Sequence, residues 1–501
     1  MTKSFRNSTA ASSPRKSSAR VSGRSNKPVQ KTWQRAKQTT RTTEDSAIAN
    51  SEEGLSAGLL SAAIEATTQL LQFTQPADVV LSAFFRAKKS GVRDRNFIAE
   101  TAYAVLRRKR SLTKLGMTTP KPTLSRDSES ELNTGTEPKR TKSGNAPKTH
   151  VSVRELVLLS LSRLRGMSQR QLAPALKEGE AQWLADVRAQ PEPELTLGEQ
   201  LDFPDWLAER LSARMNADDL LVLARALNSS APLDLRVNTF KTTRDAVLAQ
   251  LTAEGMSLTP CLYSPIGLRL KNRPFLQKHP LFLDGSIEVQ DEGSQLLGYL
   301  LAPKRGEMVV DFCAGAGGKT LMLGAMMRST GRLYAFDVAE KRLAKLKPRV
   351  ARSGLSNVHP MLIANENDIR IKRLAGKVDK VLVDSPCSGL GTLRRNPDLK
   401  WRQTPETVEE LTQKQAAILT SAARLLKPGG RLVYATCSIL EEENAAIVNA
   451  FLASHADFSR LPANKILADQ GITLDTGEDL LLSPSVHGTD GFFAAVLQRN
   501  A

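Results

Sequence analysis

Cysteine is scarce in this chain. Cys261, Cys313, Cys387 and Cys437 are the only four in 501 residues, and no two are spaced C-x-x-C. That argues against a disulfide framework and against a cysteine zinc site. The five histidines, His150, His279, His359, His455 and His487, are scattered without ligand spacing, so no metal is expected. Long apolar runs are missing too. Stretches such as Leu220 to Ala224 fall far short of the ~18 residues that a membrane-spanning helix needs. The first residues lack the apolar stretch of a signal peptide, which leads us to expect a cytoplasmic protein with no membrane association. Acid is also in deficit. Seventy lysines and arginines face 52 acids, a net charge of +18, and such an excess favours a polyanionic partner.

The length suggests about three domains. Residues 1–55 read as a disordered basic tail, because eleven cations from Lys3 to Arg41 precede the first acid, Glu44, amid polar residues. Such a segment buries too little apolar surface to offset its ordering entropy. It serves either as a solubilising tail or as an arm that holds RNA. Residues 56–228 read as an all-α domain. Leu70, Leu71, Val79, Val80, Phe84 and Phe85 recur near helical spacing, and the pattern resumes at Val151. A flexible insert rich in Thr, Ser, Pro, Lys and Glu is expected over 112–149. Residues 229–300 read as a small α/β module with strands at Asp234–Asn238 and Gly267–Leu270 and a helix at Thr243–Glu254. The module resembles an RNA-recognition unit without the aromatic ribonucleoprotein motif.

From residue 301 to the end the chain alternates strand and helix. Strands are expected at Met308–Phe312, Arg332–Asp337, Val358–Ile363, Lys380–Asp384 and Arg431–Thr436. Helices are expected at Thr320–Arg328, Glu340–Ser353, Pro405–Leu426 and Glu441–Ala453, with Pro428–Gly430 as a turn. Short Val- and Leu-rich strands between helices predict an α/β fold built on a doubly wound, Rossmann-like parallel sheet. Asp479–Leu482 and Gly491–Gln498 are expected to add an antiparallel hairpin at its edge.

In such sheets ligands bind beyond the carboxyl ends of the strands. Gly315, Gly317 and Gly318 follow the first strand and permit close backbone approach to a ligand at a helix N-terminus. Asp337 ends the second strand, about 20 residues on, the spacing of an acid that binds ribose hydroxyls. G-G-K-T (Gly317–Thr320) resembles the end of a phosphate loop, but Cys313 stands where that pattern needs its first glycine. Asp368 is placed to reach an adenine edge or, more simply, to start the next turn. Asp384 closes an apolar strand, where a buried carboxylate needs a partner. Cys387, in V-L-V-D-S-P-C-S-G, and Cys437, in R-L-V-Y-A-T-C-S, stand at the ends of neighbouring strand-like runs. Two thiols beside a nucleotide-type pocket suggest group transfer through a covalent intermediate.

The set D-F-C-A-G-A-G-G-K-T, D-S-P-C-S-G-L-G-T-L-R-R-N-P-D-L-K-W, Y-A-T-C-S-I-L-E-E-E-N and H-G-T-D-G-F-F closely resembles the RsmB/Nop family of S-adenosylmethionine-dependent RNA cytosine carbon-5 methyltransferases. Four motifs occur in order over roughly residues 230–500, and residues 78–110 look like the NusB-like helical domain of some members. A-G-A-G-G-K stands where the family commonly has A-A-P-G-G-K. The resemblance implies a class I methyltransferase domain preceded by an RNA-binding module and a NusB-like domain. It implies that Cys313, Ala314, Gly315, Ala316, Gly317, Gly318 and Lys319 hold the methionine and ribose side of S-adenosylmethionine. Asp337 then takes the ribose hydroxyls, Asp368 the adenine side, and Asp384 sits at the methyl-transfer centre. Cys437 is the implied nucleophile and Cys387 its assistant in resolving the adduct. The implied partner is RNA, ribosomal in the first instance and transfer RNA as the alternative, bound by a monomer. A non-catalytic assembly factor that keeps the fold is the remaining alternative.

The chemistry agrees with these roles. Carbon 5 of cytosine is a poor nucleophile until a thiolate adds at carbon 6. A donor at the ring nitrogen, with protonated Asp384 in that role, stabilises the charge of the addition. A base then removes the carbon-5 proton so that the thiol can leave. Arg394, Arg395 and Lys400 are candidates for the positive field that favours the thiolate, and for contacts to the RNA backbone. DNA cytosine methyltransferases use the thiol after proline, which points to Cys387, whereas the T-C-S context points to Cys437. For Cys261 and Cys313 the ordinary reading is a small buried side chain.

Overall fold

Capped helices open the described part of the chain. The structure, a computed structural model, describes residues 54–119 and 150–501. The basic tail before residue 54 and the span 120–149 lie outside the described residues. Ser56 accepts the Leu59 N–H and starts helix Ala57–Leu70. Ser152 and Glu155 form a reciprocal capping box on helix Val153–Leu159. Helices Ala77–Lys88 and Val92–Arg107 complete this layer, with Leu60, Phe84, Ile98, Leu106, Leu158 and Trp183 in one core. Helix Lys109–Thr118 occupies the start of the expected insert, because Leu112 and Leu115 are buried in that same core.

The helical stretch expected over 56–228 contains two cores. Leu201, Leu207, Leu220 and Leu227, from helices Leu197–Leu201, Asp205–Ser212 and Ala217–Leu227, and Phe203 from the link between the first two pack with Leu390, Leu393, Val408 and Leu440. These later helices therefore bury their apolar faces against the C-terminal half of the chain. Helical periodicity shows that a face is apolar but not what it covers.

The small module is a four-stranded antiparallel sheet of β1 (Leu233–Val237), β2 (Leu258–Pro260), β3 (Gly267–Leu270) and β4 (Ile287–Val289), in the order β2-β3-β1-β4. Helix Arg244–Ala253 packs Val247 and Leu251 against Leu235, Val237 and Leu268. Helix Glu292–Leu301 joins the next core instead, burying Leu296, Leu297, Leu300 and Leu301 beside the large sheet.

That sheet has eight strands: β5 (Met308–Asp311), β6 (Arg332–Asp337), β7 (Val358–Leu362), β8 (Val378–Asp384), β9 (Leu426–Thr436), β10 (Phe458–Leu461), β11 (Leu480–Leu482) and β12 (Phe492–Arg499). Their order is β10-β12-β9-β8-β5-β6-β7, with β11 paired to β12. Strands β5 to β9 run parallel and β12 lies antiparallel to β9. Successive residues alternate between two cores. Val309, Leu333, Leu382 and Val433 enter one, while Val310, Phe336, Val381, Val383, Leu432 and Tyr434 enter the other. Burial on both faces is why these strands read as continuous apolar runs. Each such side chain is worth roughly 1.5–3 kcal/mol when fully buried.

Three expectations are corrected. Pro428–Gly430 lies inside β9, where a register shift opposite Val378 and Lys380 and a positive φ of 75° at Gly429 absorb the turn. Strand β12 sits between β9 and β10 rather than at the edge, because β10 covers it. The helix expected from Glu441 begins as a 3-10 turn, Glu441–Glu443, and becomes α-helical at Ala445. The chain goes from β5 outward to β7 and returns to β8 on the other side of β5, so the crevice for a ligand opens between β5 and β8.

Candidate active site

At this crevice β5 ends on Asp311 and the chain turns through Cys313–Gly317 into helix Gly318–Met326. Gly317 has φ 85°, and a Cβ there would meet Leu346 Cδ1 at 2.0 Å, so only glycine lets this turn close on the helix behind it. Gly315 is the opposite case. A Cβ there would meet nothing within 4 Å, which marks the open side of the turn. The turn is braced from behind by Arg349, whose Nη1 donates to the Ala316 carbonyl at 2.6 Å. Ala314 N–H donates to the Phe336 carbonyl at 2.8 Å.

Asp337 closes β6 next to the turn. Its Oδ2 accepts the Gly315 N–H at 2.8 Å and its Oδ1 the Ala339 N–H at 2.7 Å. Each oxygen keeps a lone pair for a further donor. Asp368 stands apart from this group after β7. It accepts the Ala364 and Arg370 N–H groups at 2.9 and 2.8 Å and begins the short turn Ile369–Lys372. Those backbone bonds, with help from the Arg370 charge, hold its carboxyl below the ordinary range.

Lys319 and Asp384 bridge the crevice, with Nζ 2.6 Å from Oδ2. Burial works against the lysine charge, but Asp384, Cys437 and Asp311 outweigh it and hold the ammonium above its ordinary pKa. Lys319 thus stands beside Asp384 as a second candidate donor, a role that the sequence reading gave to Asp384 alone. Sequence reading passed over Asp311 behind this pair. Its Oδ2 accepts from Thr320 Oγ1 at 2.7 Å, its Oδ1 has no partner, and burial pushes its pKa up to about 7. An acid ending a strand just before a glycine turn was the available signal.

The two thiols meet beyond β8 and β9. Cys387 Sγ and Cys437 Sγ are 3.4 Å apart. The hydrogen bond to Cys437 and then burial push the Cys387 thiol well above its ordinary pKa, so Cys387 keeps its proton and can donate it to Cys437. Gly391 N–H donates to the Cys437 carbonyl at 2.9 Å, and Gly491 N–H donates to the Gly391 carbonyl at 2.9 Å. A Cβ on Gly391 would lie 2.2 Å from the Gly491 carbonyl oxygen, so the H-G-T-D-G segment packs directly against the Cys387 loop.

The three cations expected to face the thiols or the RNA serve the framework instead. Arg394 donates to the Gly488 and Thr489 carbonyls at 3.0 and 3.1 Å. Arg395 pairs with Asp490 at 2.5 Å and with Asp291 at 2.8 Å. Lys400 is fully buried, donates to the Arg107 carbonyl at 2.9 Å and Asn228 Oδ1 at 2.6 Å, and is pushed down to about 7, mainly by burial. Loop cations next to a motif look exposed in sequence, and only packing decides the matter.

Cys313 packs on the core around Phe312 and Tyr334, and burial pushes its thiol up. Cys261 is buried, and burial first, then Asp234 and Glu292, raise its pKa. Those three form a group with ligand atoms within 4.8 Å of one another. Arg269 already occupies it, at 2.7 Å from Asp234 and 3.3 Å from Glu292. The module is thus held by a buried ion-pair cluster.

Comparison with known proteins decides the family. Residues 298–498 match the model of the 16S rRNA methyltransferase RsmB/F family, and residues 203–275 match its RsmF/B-like ferredoxin-like domain. A relative from Synechocystis sp., named "Probable ribosomal RNA small subunit methyltransferase B", is 38% identical over 310 residues, 61% of this chain and 68% of the relative. The chain belongs to the RsmB/F methyltransferase family. Among solved structures, PH0851 aligns with a TM-score of 0.69 at 25% identity over 89% of this chain and 99% of its own. A methyltransferase homologue from Pyrococcus horikoshii aligns with a TM-score of 0.52 at 30% identity, over 60% of this chain and 97% of its own. The cofactor of RsmB/F enzymes is S-adenosylmethionine. The crevice fits it: Gly315 leaves the turn open, each Asp337 oxygen has a lone pair left for a further donor, and the buried Asp311 Oδ1 has no partner. Among the described residues no helix is long and apolar enough to cross a membrane.

Proposed function

We propose that this chain methylates carbon 5 of a cytosine in small-subunit ribosomal RNA through a covalent adduct on Cys437. The observation that carries the reading is the contact of two thiols, 3.4 Å apart, at the ends of adjacent strands beside the cofactor crevice. The names of the relatives support ribosomal RNA as the substrate. Gly315 to Gly318, Lys319 and Asp337 are the residues to hold the methionine and ribose parts of S-adenosylmethionine, with Asp368 toward the adenine. When bound, the cofactor supplies an electrophilic methyl group.

The residues of the chain do the rest. Cys437 sulfur, as thiolate, forms a bond to carbon 6 of the cytosine, and the ring electrons move to carbon 5. Lys319, held by Asp384, offers a proton donor toward the ring nitrogen where negative charge builds up. Once carbon 5 carries both its hydrogen and the methyl group, that hydrogen passes as a proton to solvent water, and the carbon–sulfur bond breaks with its electron pair staying on sulfur. Cys387, which keeps its proton, assists this elimination by donating its S–H to the departing Cys437 thiolate.

The test is transfer of labelled methyl groups to unmodified small-subunit ribosomal RNA, followed by bisulfite mapping. A single protected cytosine that depends on this protein is the expected result. Methyl incorporation without bisulfite protection would overturn the carbon-5 assignment.

A further inference from the structure

Glu443 is fully buried, and the chemistry above gives it no part. Its Oε1 accepts the Ser388 N–H at 2.7 Å and Gln415 Nε2 at 3.0 Å. Its Oε2 accepts the Ser388 hydroxyl at 2.5 Å and the Ser438 hydroxyl. All four bonds come from neutral donors. Ser388 follows Cys387 and Ser438 follows Cys437, so one carboxylate grips the residue behind each thiol. An acceptor-only group suits this place, because both hydroxyls and an N–H must donate to it together.

We infer that Glu443 is a positioning residue that sets the distance between Cys387 and Cys437 by clasping the loops that carry them. The two loops also meet through the Gly391 N–H to Cys437 carbonyl bond at 2.9 Å and the Ser388 and Ser438 hydroxyls at 3.2 Å, and the Glu443 carboxylate ties the residues next to the thiols from behind. The turn that carries Glu443 is itself anchored. Glu442 pairs with Arg210 at 2.7 Å, Glu441 pairs with Arg214, and Tyr434 donates its hydroxyl to the Glu443 carbonyl at 2.7 Å. The acids of the E-E-E run thus divide their work, two docking on the Asp205–Ser212 region and the third holding the thiol loops. The Glu443 charge also helps to keep the Cys387 thiol protonated.

The catalytic consequence rests on the proposed thiol chemistry, but the spacing can be read without it. The full-length protein is treated with diamide, which takes up two electrons and two protons as a Cys387–Cys437 disulfide forms. The cross-linked peptide is followed by mass spectrometry. In the wild type the disulfide should form quickly, whereas Glu443→Ala should slow it by at least about tenfold while the protein stays folded. Glu443→Gln retains one carbonyl acceptor and should be intermediate. The kcat for methyl transfer should fall roughly 100-fold in Glu443→Ala with the cofactor KM unchanged, the scale of a 1 Å misplacement. Unchanged cross-linking in folded Glu443→Ala would overturn the clasp. If that variant does not fold, unchanged cross-linking in both Glu443→Gln and Ser438→Ala overturns it equally. Slower cross-linking together with an active Cys437→Ala enzyme supports the clasp and removes the thiol chemistry instead.

Discussion

Lys319 Nζ and Asp384 Oδ2 lie 2.6 Å apart, joining the glycine turn after β5 to the end of β8. The pair is partly buried, with side-chain exposures of 16% and 29%, so solvent screens it only partially. If the two act as one unit, Lys319→Met and Asp384→Asn should each lower kcat by about 10²–10³. The double variant should then be no worse than the weaker single, because the second loss removes nothing further. Single-turnover methylation measures this, and losses that multiply would show two separate roles.

The thiols should separate cleanly. Cys437→Ala should abolish methylation and trap no RNA, since the attacking sulfur is gone. Cys387→Ala should still attack through Cys437 but release slowly, giving a protein–RNA adduct that survives denaturing electrophoresis. An adduct in Cys437→Ala and none in Cys387→Ala would reverse the assignments.

Asp337→Ala should weaken S-adenosylmethionine binding by about 1.5–3 kcal/mol and leave RNA affinity nearly unchanged. Two effects coincide there: loss of an acceptor for ribose, and release of the Gly315 and Ala339 N–H groups that Asp337 now holds. Calorimetry with the cofactor alone reads the change, and an unaltered Kd removes Asp337 from the site.

Asp311 should write a pH dependence into stability. Its carboxyl is raised by burial from 3.8 to about 7, so the folded protein holds a proton that the unfolded chain releases. Its contribution is therefore full below pH ~4 and is lost as pH rises to about 7. Asp311→Asn carries no titrating proton, so its stability relative to wild type should rise between pH 5 and pH 8, on the order of a few kcal/mol. Urea melts at the two pH values check it, and parallel curves would show that Asp311 does not titrate there.

Lys400→Ala should destabilise the fold rather than flatten the salt dependence of RNA binding. The substitution leaves the Arg107 carbonyl and Asn228 Oδ1 without their donor, at a cost of about 1–3 kcal/mol each where burial persists. Thermal melts and RNA titrations across salt separate the outcomes. A reduced salt slope with an unchanged Tm would return Lys400 to the RNA surface.

What the amino-acid sequence determined by itself is local. Val309–Val310, Val381–Val383 and Leu432–Ala435 declare strands buried on both faces, because only such strands tolerate consecutive apolar residues. Gly315 and Gly317 declare the turn that follows β5, and the thiols stand visibly at strand ends. Boundaries were legible wherever a period or a turn residue marked them, as at Arg332–Asp337 and Glu340–Ser353. Tertiary structure alone decided what faces what. Cys387 and Cys437 are 50 residues apart in sequence, and their sulfurs meet only because β8 and β9 are neighbours in register. The E-E-E run looks like any acidic turn, yet it buries its third member completely between two loops. Arg394, Arg395 and Lys400 look like a basic patch, and the packing of Phe203, Asn228 and Arg107 around Lys400 and of Gly488 to Asp490 against the two arginines turned that patch inward. Period and turn chemistry act within a few residues, whereas burial and ion pairing depend on the order in which distant strands and helices assemble.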